Sequence, residues 1–331
     1  MKLFPHVLRY SYRTANWFFL DRLGRSHSTR LIHSIADRCT DKTYNMKYCV
    51  VQKGATNTLD YKIYFKNDSG FISPFHDIPV YSNEADCIVN MVVEIPRWSN
   101  AKMEITKNDP LNPIKQDVKN GKLRFVANCF PHHGYIWNYG AIPQTWENPN
   151  VNDEHTGFKG DNDPVDIMEI GQRIARRGEI MQVKVLGCLA LIDEGETDWK
   201  IFGISTKDPL ADSLKDISDV EKYCPGLLKA SIEWLRTYKI PDGKPENQFA
   251  FGGEFKDKAF AHKIINETHK EWKCLMAKDE DKINLTNTTL GDTKTSLGRN
   301  EAEQIVNSNP NYSEGPPLDD IVGKWHFLHL K

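Results

Sequence analysis

The chain has 331 residues and a formal net charge of −2 at pH 7, a balance that gives no indication of binding to nucleic acid or to a membrane surface. Its hydrophobic content of 39% can fill a core, and no apolar run approaches the about 20 residues that span a bilayer. The 7 cysteines are scattered without CxxC spacing, which predicts reduced thiols in an intracellular protein rather than disulfides or a zinc site.

The amino-terminal segment, residues 1–45, is basic and contains many serine and aromatic residues. Lys2 and 6 arginines stand against only Asp21 and Asp37 in the first 40 positions. An arginine-rich, acid-poor composition is typical of a mitochondrial presequence, and a simple basic arm is the alternative. We therefore expect the full-length chain in the mitochondrial matrix. Met46 offers a second start for a cytoplasmic form, and a nuclear location stays open.

The central region, residues 46–276, alternates short strands with turns and then becomes helical. Many short strands followed by helices indicate an α+β fold, in which helices pack outside a small closed antiparallel barrel. Alternating or continuous apolar patterns predict strands at 61–65, 91–95, 123–127, 180–192 and 200–205, and helical spacing predicts helices at 227–238 and 257–276.

The carboxy-terminal segment, residues 277–331, is rich in Asp, Asn, Thr, Ser and Pro. This composition predicts a loose polar tail over most of its length. The tail closes on Lys-Trp-His-Phe-Leu at 324–328, which is too apolar to remain in water. We expect this closing segment to dock back on the central region.

Three acidic clusters lie beside apolar strand segments, at 94–104, 161–166 and 193–198. Packed carboxylates repel one another and raise each other's pKa unless cations neutralise them. Hard divalent ions suit such oxygen ligands, and Mg²⁺ is the ion we expect. An EF-hand loop at 161–172 is excluded, because Pro164 and Val165 interrupt it and Gln172 replaces the bidentate glutamate. A solvated, Asx-rich turn is the alternative for the second and third clusters.

Cationic and tyrosine side chains near these clusters suggest that the other ligands are phosphate oxygens. Arg124 lies inside a predicted strand, where an unpaired guanidinium would be costly, so an anion must meet it. Tyr135 and Tyr139 flank Trp137, and core packing is an equally good interpretation for them. Lys239 follows a predicted helix, where complementing the helix dipole is the alternative role.

Taken together, the motifs resemble those of the soluble family I inorganic pyrophosphatases of the eukaryotic type. The resemblance runs from about Gly54 to Met276 and includes the signature Asp-Asn-Asp-Pro-Val-Asp at 161–166. The other matching motifs are Asn-Met-Val-Val-Glu-Ile-Pro-Arg-Trp at 90–98, Asn-Ala-Lys-Met-Glu at 100–104, Gly-Lys-Leu-Arg-Phe at 121–125, Pro-His-His-Gly-Tyr at 131–135, Asp-Glu-Gly-Glu-Thr-Asp-Trp-Lys at 193–200 and Tyr-Lys-Ile-Pro-Asp-Gly at 238–243.

The resemblance implies a five-stranded OB-like β-barrel with additional strands and outer α-helices, and a homodimer. The implied reaction is hydrolysis of diphosphate to two phosphates by direct attack of a metal-bridged hydroxide. It implies three to four Mg²⁺ ions per site with substrate bound, with Mn²⁺ or Zn²⁺ as substitutes and Ca²⁺ as an inhibitor. The implied dimer contacts are Arg97, Trp98, His133 and Trp325.

The same resemblance assigns roles to individual residues. Asp163 is the implied base for the attacking water, and Tyr135 is a proton donor or a hydrogen-bonding partner of Asp163. Glu94 and Glu196 are supporting residues. The implied metal ligands are Asp161, Asp166, Asp198, Asp193 and Glu104. The implied phosphate-binding residues are Arg124, Lys102, Tyr139, Tyr238, Lys239 and Lys200, of which Arg124, Lys102 and Lys239 also contribute to catalysis.

Two other classes of function compete with this interpretation. One is a catalytically inactive interaction module built on the same fold, which the intact set of acidic and basic residues argues against. The other is an OB-fold nucleic-acid binder, which needs a cationic groove with exposed stacking aromatics. The acidic centre of the predicted site argues against that alternative.

We predict that the full-length chain enters mitochondria and is cleaved before about residue 48, because the basic leader precedes every predicted site residue. A chain that begins at Met46 should remain in the cytosol with full activity. Import followed by amino-terminal sequencing measures the cleavage. Uncleaved full-length protein found only in the cytosol or nucleus would contradict the targeting role.

Overall fold

The computed structural model describes residues 47–278, 283–291 and 293–329. The predicted leader at 1–45 and the second start at Met46 lie outside these residues. Within the described part of the chain, no helix is both long enough and apolar enough to cross a bilayer.

The described chain contains mostly short strands, with few helices. The strands are β1 Cys49–Lys53, β2 Lys62–Asn67, β3 Gly70–Ile72, β4 Tyr81–Asn83, β5 Ile88–Ile95, β6 Met103–Ile105, β7 Ile114–Gln116, β8 Val118–Lys119, β9 Lys122–Leu123, β10 Asn128–Cys129, β11 Asn138–Ala141, β12 Lys159–Gly160, β13 Asp166–Glu169, β14 Ile180–Asp193, β15 Glu196–Ser205, β16 Gln248–Phe249, β17 Lys256–Asp257 and β18 Trp325–His326. The α-helices are α1 Ser218–Tyr223, α2 Leu227–Thr237, α3 Lys258–Met276 and α4 Arg299–Asn307, and single 3₁₀ turns cover Ile240–Asp242, Ala250–Gly253 and Asp320–Gly323.

Five strands close into a ring, which confirms the predicted small barrel within an α+β fold. The ring runs β5–β11–β13–β15–β14 and returns to β5. Four of its junctions are antiparallel, but β13 pairs with β15 in parallel, so the expectation of a purely antiparallel barrel was wrong. The parallel junction arises because the chain leaves β13, crosses through β14 and returns along β15.

The alternation of side chains along β14 and β15 supplies two apolar faces. Leu189 and Phe202 belong to one buried cluster, and their neighbours Cys188 and Ile201 belong to another. This division follows from the two-residue period of a strand. Gly140 allows β11 to approach β5 closely, since a Cβ there would lie 1.9 Å from the Val92 carbonyl oxygen.

The two predicted helices form close to their predicted ends. Asp257 caps α3, and its side chain accepts a hydrogen bond of 2.8 Å from the Phe260 N–H. The stripe of α3 that contains Ile264, Ile265 and Trp272 is buried. Trp234 and Leu235 of α2 are buried in the same way and join the core cluster that contains Trp272.

The carboxy-terminal segment differs from the predicted loose tail over its described residues. Helix α4 buries Ala302 and Val306 against a small cluster with Tyr64. The backbone N–H groups of Thr288 and Thr289 donate to the Asp77 carboxylate at 2.8–3.0 Å. Backbone and hydroxyl hydrogen bonds therefore anchor this segment to the rest of the fold, although its polar composition predicted a loose tail. The closing residues lie in β18, which pairs in parallel with β10.

Candidate active site

The strand register brings a lysine and two aspartates together at the barrel. Lys200 on β15 stands opposite Asp166 on β13, and Asp198 lies two residues before Lys200 on the same face of its strand. Lys200 Nζ donates to Asp166 Oδ2 and, at 2.6 Å, to Asp198 Oδ1. Only 4% of the Lys200 side chain is exposed, so these ion pairs are formed almost entirely away from water.

A third acid beside this pair was missed in the sequence analysis. Glu147, Asp161 and Asp198 each offer an oxygen, and the three oxygens lie within 4.8 Å of one another. Glu147 Oε1 accepts a 2.9 Å hydrogen bond from the Trp199 N–H. Its Oε2 atom is buried and has no hydrogen-bond partner among the described residues. In the sequence Glu147 is a single glutamate between Trp146 and Asn148, and no pattern there marks it as a ligand.

The loop at 160–166 packs tightly against the Glu147 backbone, which explains its composition. The Asn162 N–H donates to the Glu147 carbonyl oxygen at 2.9 Å, and the Glu147 N–H donates to the Asp163 carbonyl oxygen at 2.9 Å. A Cβ at Gly160 would lie 2.3 Å from the Glu147 carbonyl carbon. Asn162 adopts a left-handed conformation with φ of 71°, which asparagine tolerates. The loop thereby fixes Asp161 beside Glu147.

Burial and mutual repulsion raise the pKa of these carboxyls. Burial raises the pKa of Asp198 to about 7, against the lowering effect of Lys200. Burial and the neighbouring Asp161 and Asp198 raise the pKa of Glu147 well above its ordinary range. Burial disfavours the charged form of Lys200 as well, yet Asp166 and Asp198 raise its pKa well above the ordinary value. A cation bound by the carboxylates of Glu147, Asp161 and Asp198 would reduce their mutual repulsion.

Asp163 stands at the edge of the cluster and contacts a lysine that the sequence analysis missed. Lys107 Nζ lies 2.5 Å from Asp163 Oδ1. The Asp163 N–H donates to Asp161 Oδ1 at 3.0 Å. The Asp163 side chain is 44% exposed, so a water molecule can reach it.

Three of the predicted phosphate-binding cations are paired with carboxylates. Lys239 Nζ donates to both Asp193 oxygens, at 2.5 and 2.6 Å, and Lys102 Nζ contacts Glu104 Oε2. Arg124 Nη1 donates to Asp117 Oδ2 at 2.9 Å, and Asp117 was not predicted as a site residue. The predicted strand at 123–127 forms only in part, because β9 ends at Leu123 and Phe125 makes only an isolated bridge with Ala101.

The aromatic residues of the predicted site form a stack beside these cations. Tyr135 lies 5.0 Å from Tyr139 and 4.9 Å from Trp234, and Trp234 stacks on Tyr238 at 4.6 Å between ring centroids. Tyr139 donates a short hydrogen bond to Asp166 Oδ2. Burial raises the pKa of Tyr135 to about 12, against Lys102 and Arg124, so its hydroxyl is protonated at neutral pH. No hydrogen bond joins Tyr135 to Asp163 in the described structure.

The two predicted supporting glutamates have different environments. Glu94 is buried, and its carboxylate accepts a 2.6 Å hydrogen bond from the Ile105 N–H beside Glu104. Burial raises the Glu94 pKa well above its ordinary range, and Asp166 adds to the effect. Glu196 is exposed at the start of β15, and within the described ranges it has no ion pair with the other predicted residues. The structure therefore does not bring Glu196 into the cluster.

The cluster of Glu147, Asp161 and Asp198 fits a hard divalent cation. All of its donors are carboxylate oxygens, the type that Mg²⁺ prefers. The unpartnered, buried Oε2 of Glu147 requires a cation or a water molecule to satisfy it. A second group, Glu154, His155 and Glu267, also clusters, but Lys263 already lies 2.7 Å from Glu154 there.

The chain is similar to known proteins of one enzyme family. The family model described as inorganic pyrophosphatase matches residues 91–273. An inorganic pyrophosphatase of Drosophila melanogaster is 56% identical over 299 residues, which cover 89% of this chain and 88% of the fly protein. One from Kluyveromyces lactis is 58% identical over 286 residues, covering 86% of this chain and 99% of the yeast protein. The solved structure of an inorganic pyrophosphatase from Schistosoma japonicum is similar with a TM-score of 0.81 and 46% identity, covering 85% of this chain and 100% of that one.

We predict that Mg²⁺ stabilises the metal-free protein more at pH 8 than at pH 6. The folded-state pKa of Asp198 is raised to about 7, so this carboxyl keeps its proton at pH 6 and competes with the cation. Between about pH 4 and 7 the folded state binds more protons than the unfolded state, so this group stabilises the fold at low pH and the benefit is lost as pH rises. Each tenfold gain in affinity should raise Tm by roughly 2–4 °C in a thermal melt. An equal Mg²⁺ shift at both pH values, or the same pH dependence in Asp198→Asn, would contradict this assignment.

Proposed function

This chain belongs to the family I inorganic pyrophosphatases and is an inorganic diphosphatase, and we propose a mechanism carried by the residues of the barrel site. The single observation that carries the proposal is the cluster of Glu147, Asp161 and Asp198, of which Glu147 and Asp198 are buried, with its unpartnered carboxylate oxygen. Lys200 contacts Asp198 of that cluster, and the partly exposed Asp163 donates its N–H to Asp161.

Glu147, Asp161 and Asp198 would hold the resident divalent cation, which we propose to be Mg²⁺. Mg²⁺ bound there neutralises carboxylate charge and lowers the pKa of a coordinated water. Asp166, Asp193 and Glu104 would serve the further ions that accompany substrate, three to four in total. Mn²⁺ or Zn²⁺ would substitute, since carboxylates bind these ions as well. Ca²⁺ would inhibit, because it prefers larger and more flexible coordination.

Asp163 would orient the attacking water and accept its proton. Its exposed side chain and its position two residues after Asp161 support this role. The contact with Lys107 Nζ at Oδ1 restrains the carboxylate, which keeps the second oxygen available to the water. General-base assistance requires such a positioned group within hydrogen-bond reach of the water.

Lys102, Arg124 and Lys239 would bind the phosphate oxygens. Each of the three cations contacts a carboxylate in the described structure, so substrate binding would exchange one anionic partner for another. Positive charge aimed at the departing phosphate stabilises the negative charge that develops there. Tyr139, Tyr238 and Lys200 would complete the binding surface. Tyr135, protonated at neutral pH, would donate a hydrogen bond or proton to the phosphate held by Lys102 and Arg124.

Phosphate release from pyrophosphate tests the activity. The purified protein should release phosphate with Mg²⁺, release none in excess chelator and lose activity when Ca²⁺ is added. Full activity in excess chelator would sink the metal-dependent mechanism. The same assay separates the enzyme from an inactive interaction module, which would release no phosphate under any condition.

We predict that Asp163→Asn lowers kcat by about 10²–10⁴-fold, the usual cost of removing a general base. Its affinity for Mg²⁺ should change little, whereas Asp161→Ala, Asp166→Ala and Asp198→Ala should weaken Mg²⁺ binding first. Stopped-flow phosphate release and calorimetric Mg²⁺ titration separate the two effects. Glu196→Gln is the matched control, and its exposed position predicts near-parental turnover. Near-parental kcat in Asp163→Asn would show that another group accepts the proton.

We further propose that the chain is a homodimer whose contact surface includes Arg97, Trp98, His133 and Trp325. Trp98 is 54% exposed and Trp325 is 40% exposed, although both are large apolar side chains. His133 joins them, because its ring lies 5.8 Å from the Trp325 ring and its Nδ1 lies 3.1 Å from the Trp98 carbonyl oxygen.

The mitochondrial location is likewise proposed, and its support is the composition of the leader alone.

We predict that Trp98→Ala shifts the protein toward monomer. An exposed tryptophan at the centre of a contact surface commonly contributes at least about 2 kcal/mol to association. Sedimentation velocity over a dilution series measures the monomer fraction. Phe158→Ala, which removes another exposed aromatic residue, is the control and should leave the dimer intact. Equal dimer fractions in Trp98→Ala and the parent would refute the placement of the contact.

A further inference from the structure

A cavity of about 260 Å³ lies next to the segments that carry the phosphate-binding cations but outside the active site. Ala101 and Met103 line it, and they flank Lys102 in sequence. Phe125, which follows Arg124, lines it as well. The cavity therefore lies beside the segments of Lys102 and Arg124, without either residue being part of its lining. None of the predicted metal or phosphate ligands is among the described residues that line it.

Arg177 brings an uncompensated positive charge to this cavity. Its Nε donates to the Glu94 carbonyl oxygen at 3.3 Å, and its other side-chain hydrogen bond is with the Tyr61 hydroxyl. Neither partner carries a negative charge, because the Tyr61 pKa is raised by burial. No carboxylate of the described chain lies within ion-pair distance of the guanidinium. Burial lowers the Arg177 pKa, which an anionic partner would reverse.

The remaining lining restricts the kind of anion. The Gln116 amide nitrogen donates to the Arg124 carbonyl oxygen at 2.7 Å, so this amide is already engaged. Met103, Ala101 and Phe125 give the cavity an apolar wall. A single guanidinium balances one negative charge, and a phosphate dianion would keep an unpaired charge in a partly desolvated place. A guanidinium also matches the two oxygens of a carboxylate.

We propose that this cavity binds a small organic monocarboxylate, with the carboxylate on Arg177 and its apolar body against Met103 and Phe125. The bound anion adds negative charge behind Lys102 and Arg124, which disfavours binding of the anionic substrate. The bound anion also contacts two residues that donate hydrogen bonds to the active-site segments. These residues are Gln116, which donates to the Arg124 carbonyl oxygen, and Arg177, which donates to the Glu94 carbonyl oxygen. Occupancy therefore raises KM for pyrophosphate.

Calorimetric titration of the intact protein with benzoate tests the site, and benzamide is the uncharged probe of the same shape. Because Trp98 belongs both to the cavity lining and to the proposed dimer contact, the titration is run at concentrations where the parent is fully dimeric. Benzoate should bind and benzamide should not. Arg177→Gln should weaken benzoate binding about 10- to 100-fold, the usual effect of losing a charge-assisted hydrogen-bonding partner. The adjacent, exposed Arg176→Gln is the matched control and should bind benzoate as the parent does.

Two further comparisons separate this cavity from the metal site. Benzoate binding should persist in Asp198→Asn, since Asp198 does not line the cavity. Benzoate should raise KM in the parent but not in Arg177→Gln. Equal binding of benzoate and benzamide, equal benzoate binding by the parent and Arg177→Gln, or loss of binding in Asp198→Asn alone would each overturn the proposal. Because binding is measured directly, such a failure is independent of the proposed hydrolytic mechanism.

Discussion

The buried ion pairs of Lys200 with Asp166 and Asp198 are the interaction on which the active site depends. Two aspartates next to one another in a protein interior are unstable unless a cation lies between them. Strand pairing supplies that cation, because the parallel junction of β13 and β15 sets Lys200 opposite Asp166. Breaking a buried ion pair by removing one partner typically costs about 3–5 kcal/mol. The strand pairing that closes the barrel therefore also fixes where the charged side chains of the site lie.

Other cations of the site form ion pairs in the same way as Lys200. Lys239 is paired with Asp193, Lys102 with Glu104, and Arg124 with Asp117. Each pair holds a flexible side chain in place, so less conformational freedom remains to be lost when an anion binds. Because these site cations are each paired with a carboxylate while Glu147 Oε2 has no hydrogen-bond partner in the described chain, the acidic side of the site is the less compensated one. We infer that the divalent cation and the anionic substrate are needed together to balance the charges.

Strong sequence patterns predicted three of the five barrel strands, β5, β14 and β15, and the helices α2 and α3, whereas the short strands β11 and β13 were not predicted. The apolar run of β14 and the helical stripe of α3 are long and continuous, so local periodicity was sufficient to find them. The acidic clusters were also recognisable, because carboxylates at strand ends are uncommon without a ligand. Glu147, Lys107 and Asp117 could not be found in this way. Each is a single charged residue whose neighbours lie 7 to 56 positions away, and only the folded chain brings them together.

The polar tail shows the other limit of sequence patterns. Its Thr288 and Thr289 are anchored by Asp77, more than 200 positions earlier, through hydrogen bonds that leave no hydrophobic signature. Glu196 shows the reverse case, in which a residue inside a matching motif remains exposed at a hairpin turn. Membership of a motif therefore does not decide which side chain reaches the site. Strand register decides it for Asp198 and Lys200, which lie two and four residues further along β15.

The Mg²⁺ affinity of Glu147→Gln tests most directly whether the buried carboxylates hold the cation. The substitution keeps the size of the side chain and can keep the hydrogen bond from Trp199 N–H, but it removes the negative charge beside Asp161 and Asp198. Calorimetric titration of metal-free protein should show about 10- to 100-fold weaker Mg²⁺ binding, the range typical of lost support at a metal site. Glu154→Gln, in the surface cluster with His155, should bind Mg²⁺ as the parent does. Parental affinity in Glu147→Gln would contradict the account.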